Sequence, residues 1–224
     1  LSSRGESTPL LAATAALFLS VHLSALALPV PTDAKLPIAR IASTAALASA
    51  NEQTGALPWT SWAAKPADDD ARWPLLTAGA PAGIAAGVGA YAALALAPVG
   101  LITLAGEPEL ARSIIPDAAT LSPLQALDVL VLAPLSEELV FRAWLLGALA
   151  DADTPEPLAA AASALLFGLW HAGGGGDGIG SLTLLGAWLS TLYSRSGGRL
   201  SVCIGAHAGY NALSVAAPLF LVHR

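Results

Sequence analysis

Hydrophobic positions run along this chain in long blocks, not in the two-residue alternation of half-buried strands. Residues 9–30 are an uncharged run, and such a run is long enough as a helix to cross a hydrocarbon core. A retained helix is the first reading of this length, with Arg4 in front of it and Ala25-Leu26-Ala27 near its end offering a cleaved targeting segment as the alternative. Residues 31–74 are polar by contrast. The acids Asp68, Asp69 and Asp70, the nearby cations and the prolines predict a connection there, with Trp59, Trp62 and Trp73 at headgroup level. Uncharged character returns over 75–105, predicting a helix trimmed or kinked by Pro81 and Pro98. Within it Gly83 and Gly87 stand four apart, a spacing that lets a second helix come close. After a polar stretch at 106–123, an apolar block at 124–150 is broken by Pro134. This predicts two segments, the second capped by Ser136. Further helices are predicted at 158–171, ending on His171, at 179–194 and at 200–222. The run from Gly173 to Gly178 reads as a loop that lacks the GK[ST] ending of a phosphate loop.

The pattern therefore gives an all-α chain of about six or seven helices with no strand. Composition turns these helices into expected membrane spans. Residues of the set AVILMFWYC make up 55% of the chain and charged residues 12%, about half the charged share of a soluble domain. A soluble protein of this size has no interior large enough for so much apolar surface. The net charge of −6 repels phosphate backbones and excludes a nucleic-acid partner. One cysteine, Cys203, excludes an internal disulfide and a CxxC metal site. Leu1 at the start and the absence of methionine suggest a processed or partial chain.

In a polytopic membrane protein the informative residues are ionisable groups inside helical runs, because each costs at least ~2.5–3.5 kcal/mol to insert. Here they are Asp128, Glu137, Glu138, Arg142, His171 and His207, with His22 in the first block. Glu138 and Arg142 are i and i+4 and share a helix face. Two adjacent carboxylates with one arginine leave one acid short of a partner, a condition that suits a general base. His207 and Asn211 also share a face at i and i+4. Three separate helical segments thus bring carboxylates, imidazoles and a carboxamide suited to one hydrolytic site. A water between Glu137 and His171 would be deprotonated, while His207 and Asn211 would donate to an oxyanion. Alternatively Glu137, His171 and His207 would hold a divalent metal such as zinc that activates the water. There is no HExxH helix. Cys203, in an apolar helix, reads as a packing thiol.

The ordered set Glu137-Glu138…Arg142, Phe167…His171 and His207…Asn211 resembles the EExxxR, FxxxH and HxxxN motifs of the CAAX protease and bacteriocin-processing family of intramembrane endopeptidases. The stretch from Leu184 to Leu200 is similar to the family's segment before the last motif, where a small-residue helix runs into an aromatic-x-Arg-x-Gly turn. The resemblance covers roughly residues 120–215. It implies a multi-pass membrane fold with a catalytic cavity inside the bilayer, and hydrolysis of peptides or membrane proteins, with prenylated tails as one substrate option. Glu137 becomes the water-activating base with His171, His207 and Asn211 become oxyanion donors or metal ligands, and Glu138 with Arg142 becomes a supporting ion pair. The organisation that follows is an N-terminal segment 1–74, with one membrane or targeting helix and a polar loop, and a protease-like domain 75–224. A plastid membrane and a bacterial plasma membrane suit the chain equally. Two other readings use the same residues: a non-catalytic scaffold or immunity-type protein of the same fold, and a proton-coupled transporter.

Overall fold

The structure is a computed structural model that describes residues 7–54, 72–97, 106, 121–171 and 179–221. Helix α1 is Ser7–Leu26, α2 is Thr32–Thr54 and α3 is Arg72–Tyr91, which continues through one wide π-type turn, Ala92–Leu96. A continuous helical run, α4, spans 123–151. It is assembled from α-helical pieces Pro123–Leu127, Ala133–Glu138 and Leu146–Asp151, separated by π-type stretches Asp128–Leu132 and Leu139–Leu145. Helices α5 (Glu156–Trp170), α6 (Ile179–Arg195) and α7 (Leu200–Leu221) complete the order. The described residues are all-α, with no strand.

The helices at 158–171, 179–194 and 200–222 form close to where the apolar blocks place them, and His171 sits immediately after α5. Between α6 and α7 the chain reverses on Gly197 and Gly198, whose φ values of 71° and 80° exclude most other residues. The acid run 68–70, Trp59, Trp62, the glycine run 173–178 and most of 106–123 lie outside the described residues, as does the side chain of Trp73.

Two expectations change. The polar connection at 31–74 contains a full helix, α2. Its alanine-rich middle favours helix, and the polar side chains that suggest solvent turn instead toward α4. Asp33 accepts from the Ser122 hydroxyl and Arg40 reaches α4 further along, so α2 lies beside α4 from its start. The second change is at Pro134. The expected break into two segments does not occur, and Ser136 is no cap: it is buried, and its hydroxyl donates to the Ala133 carbonyl. The cap stands earlier, at Ser122, which forms a reciprocal capping box with Gln125. The helix passes Pro134 because the preceding turn is wide. The Ala133 N–H bonds the Asp128 carbonyl, five residues back. In that register Pro134 would bond Val129, and lacks the N–H to do so. Asn211 on α7 fills the gap, its Nδ2 donating to the Val129 carbonyl at 2.8 Å.

α1 packs on α2, α5 on α6, and α3 on α7, while α4 touches α2, α5 and α7. The α3–α7 crossing is the closest. A Cβ on Gly83 would overlap the Val202 carbonyl, one on Gly87 would overlap the Ala206 carbonyl, and one on Gly209 would stand 2.5 Å from the Ile84 carbonyl. The Gly83/Gly87 spacing therefore does what it predicts, with Gly209 answering from the other helix. Among the described residues no helix is long and apolar enough to cross a membrane. The expectation of an all-helical chain stands, and that of six or seven spans is not met by the described helices.

Candidate active site

The site is built on α4. Its α-helical piece Ala133–Glu138 carries both glutamates between the two wide turns, and the second wide turn carries Arg142. Short π-type stretches inside α-helices often mark functional positions, because they re-aim side chains at little cost. The carbonyl of Phe141 in the second one is satisfied by the Ser163 hydroxyl of α5 at 3.0 Å.

Glu138 and Arg142 form the predicted i, i+4 ion pair, 3.1 Å between Nη1 and Oε1, and both are fully buried. A buried pair is costly unless its remaining valences are met. Here Arg142 Nη2 donates to the Gly186 carbonyl at 3.0 Å, and its guanidinium stacks on Phe167 at 4.8 Å from the ring centre. Glu138 Oε1 also accepts from His207 Nδ1 at 2.9 Å. Phe167 is completely buried and serves as a post: its ring also meets Phe141, His171 and His207.

Glu137 is not the acid without a partner that the local sequence suggests. Arg40 of α2 donates through Nη1 to Glu137 Oε1 and lies 3.1 Å from Asp128 through Nε. This residue is the one that sequence reasoning misses. It stands 97 positions from Glu137, in a segment that reads as a polar connection. Its only local signal is a lone arginine at helical spacing from Asp33 and Ser43. Asp128, flagged as an ionisable group in an apolar run, is buried as the other partner of Arg40.

The free ring nitrogens converge on the other oxygen of Glu137. His171 Nδ1 lies 2.8 Å from the Phe167 carbonyl, which only accepts, so Nδ1 carries a proton. His207 Nδ1 donates to Glu138. Each neutral ring therefore presents its Nε2 lone pair, and these stand 3.5 Å (His171) and 3.8 Å (His207) from Glu137 Oε2. That oxygen is buried and has no hydrogen-bond partner. Three acceptors facing one another call for a shared proton, a water or a cation. Beside Glu137 a cavity with about 20 Å³ of free space is lined by His22, Arg40, Ser43, Ser136, Glu137 and Phe141, among others. That is room for about one water. His22 borders it with Nδ1 3.3 Å from the Ser43 hydroxyl.

Five of the six sequence-chosen residues thus meet: Glu137, Glu138, Arg142, His171 and His207. Asn211 stands apart from them in its bonding, with its amide nitrogen committed to the α4 backbone. One carboxylate and two imidazoles are the donor types of a catalytic zinc site. As placed, no three His, Cys, Asp or Glu side chains among the described residues are arranged to hold a metal ion. Cys203 is a buried free thiol within reach of the Leu189 carbonyl, as a packing cysteine should be.

An all-helical frame in which α2, α4, the end of α5 and α7 bring arginines, glutamates and histidines into one largely buried cluster defines the class: a helical bundle with a polar centre. Residues 119–213, less than half of the chain, match the sequence model of the family described as type II CAAX prenyl endopeptidase Rce1-like. The match covers nearly the same residues as the three motifs and bears out the resemblance they carry. The family is one of membrane-embedded proteases, a relationship to hydrolases at that coarse level. No curated protein and no solved structure is significantly similar to the chain.

Proposed function

We propose that the protein is an intramembrane endopeptidase that hydrolyses peptide bonds with a water activated by Glu137 and His171. The observation that carries this reading is the buried, unbonded Glu137 Oε2 facing the Nε2 atoms of His171 and His207. A water held by these acceptors points both protons at them, so its remaining lone pair faces a substrate carbonyl. Glu137 takes the proton as the water oxygen attacks, and returns it to the leaving nitrogen. Whichever of the His171 and His207 rings does not accept from the water is the one placed to serve the oxyanion as a donor. Glu138 holds the His207 ring by its Nδ1, and Arg142 holds Glu138.

Membrane embedding is part of the same proposal. The family relation supports it, and so do the large apolar side chains left exposed on several helices, among them Leu23 (63%), Leu158 (61%) and Leu184 (59%). The substrate is a peptide or membrane protein, with a prenylated CaaX tail as the first probe. The test uses the purified full chain in lipid vesicles with a farnesylated CaaX peptide and its unprenylated twin, cleavage being read by mass spectrometry. Glu137→Ala and His171→Ala should each lower turnover by at least ~100-fold. Full activity in either variant overturns the assignment. Parallel reactions with a chelator and with added zinc tell a metal-assisted water from one activated by side chains alone.

A further inference from the structure

We propose that Arg40, outside the family-matched segment, is a positioning residue that aims Glu137 at the two histidines; this rests on Glu137 being the base proposed above. A carboxylate is nearly symmetric, and a buried one with both oxygens unbonded would rotate freely about its last torsion. Here Oε1 is tied to the Arg40 guanidinium. That leaves Oε2, alone, turned toward His171 and His207. The guanidinium is itself held from the other side. Asp128, at the start of the wide turn that precedes the Glu137 piece of α4, engages Nε at 3.1 Å, and the Arg40 side chain is only 14% exposed. Asp128, Arg40 and Glu137 therefore form one rigid line, in which an acid that touches no reacting atom fixes a cation that fixes the base. The same contact also offsets the repulsion between the adjacent charges of Glu137 and Glu138, whose other cation, Arg142, serves Glu138. A consequence is that the centre is incomplete within 119–213: α2 supplies one of its parts.

The experiment compares Arg40→Gln, Arg40→Lys and Asp128→Asn in the full chain, with Glu137→Ala alongside, measuring kcat and KM on one peptide substrate and thermal unfolding of each variant. Loss of a group that orients a functional ligand costs about 10–100-fold. Arg40→Gln should therefore lower kcat by about that factor with KM within about twofold, since no contact to substrate is removed. Arg40→Lys should recover part of the loss, because an ammonium supplies the charge without the two-sided fork. Asp128→Asn should lower kcat by a smaller factor with KM unchanged. Wild-type kcat in Arg40→Gln, with Glu137→Ala inactive, overturns the positioning role and leaves the base intact. A rise in KM at constant kcat also overturns it, assigning Arg40 to substrate binding. If Glu137→Ala is active, it is the catalytic reading that fails. Should Arg40→Gln not fold, Arg40→Lys and Asp128→Asn decide: reduced kcat in both supports the proposal, wild-type kcat in both removes it.

Discussion

Glu138 and Arg142 make the most heavily committed pair in the site. Both are fully buried, and between them they reach Gly186 on α6, His207 on α7 and the Phe167 ring on α5. Removing one member of such a pair strands the other charge away from water, typically at about 3–5 kcal/mol. Glu138→Ala should lower the stability of the folded chain by that order, read from denaturant unfolding in detergent. A change below about 1 kcal/mol would mean that Arg142 finds water or another acceptor. Glu137 behaves differently, since losing it frees Arg40 to remain with Asp128. Glu137→Ala should thus cost far more activity than stability. At this scale the sequence is informative for Glu138 with Arg142, a helical turn apart, and misleading for His207 with Asn211 at the same spacing, since the Asn211 amide goes to the Val129 carbonyl. It was blind to Arg40, because an ion pair across 97 residues leaves no local trace.

Among the elements, α4 shows how a proline can sit inside a helix without ending it. The wide turn before Pro134 shifts the missing bond to Val129, and the Asn211 amide replaces it. Asn211→Ala should leave that carbonyl unsatisfied and cost about 1 kcal/mol. In a Pro134→Ala background the new N–H reaches Val129 itself, so the same substitution should cost less. A double-mutant cycle by thermal unfolding should return a coupling of at least ~0.5 kcal/mol. Strict additivity would show that the two positions are independent. The sequence placed α5, α6 and α7 well because their apolar runs are bounded by acids, glycines and turns. It misjudged α2 because polar residues paired with a neighbouring helix look the same, locally, as polar residues in solvent. It misread Pro134 because a side chain 82 residues away repairs the backbone there.

For the whole molecule, composition and helix geometry pull apart. The chain is too apolar and too poor in charge for an ordinary soluble bundle, yet no described helix meets the length and apolarity of a span. Helices around a polar centre fit a bilayer only if they are packed against one another and their exposed leucines face the acyl chains. Membranes from cells expressing the full chain should retain it after alkaline carbonate washing. Release into the wash would overturn the proposed membrane embedding. The all-helical class was legible from block hydrophobicity alone, and the approach of Glu137, Glu138, Arg142, His171 and His207 to one another from three short motifs. How the bundle sits relative to lipid depends on packing between segments, which periodicity does not encode.

The glycine crossing of α3 and α7 also has a mechanical meaning. Backbone meets backbone beside Val202 and Ala206, and the very next residue is His207. The same close approach continues past it, where Gly209 meets the Ile84 carbonyl. The imidazole is therefore flanked on both sides by positions where no side chain can be added without pushing the two helices apart, and its place over Glu137 depends on side chains that are missing.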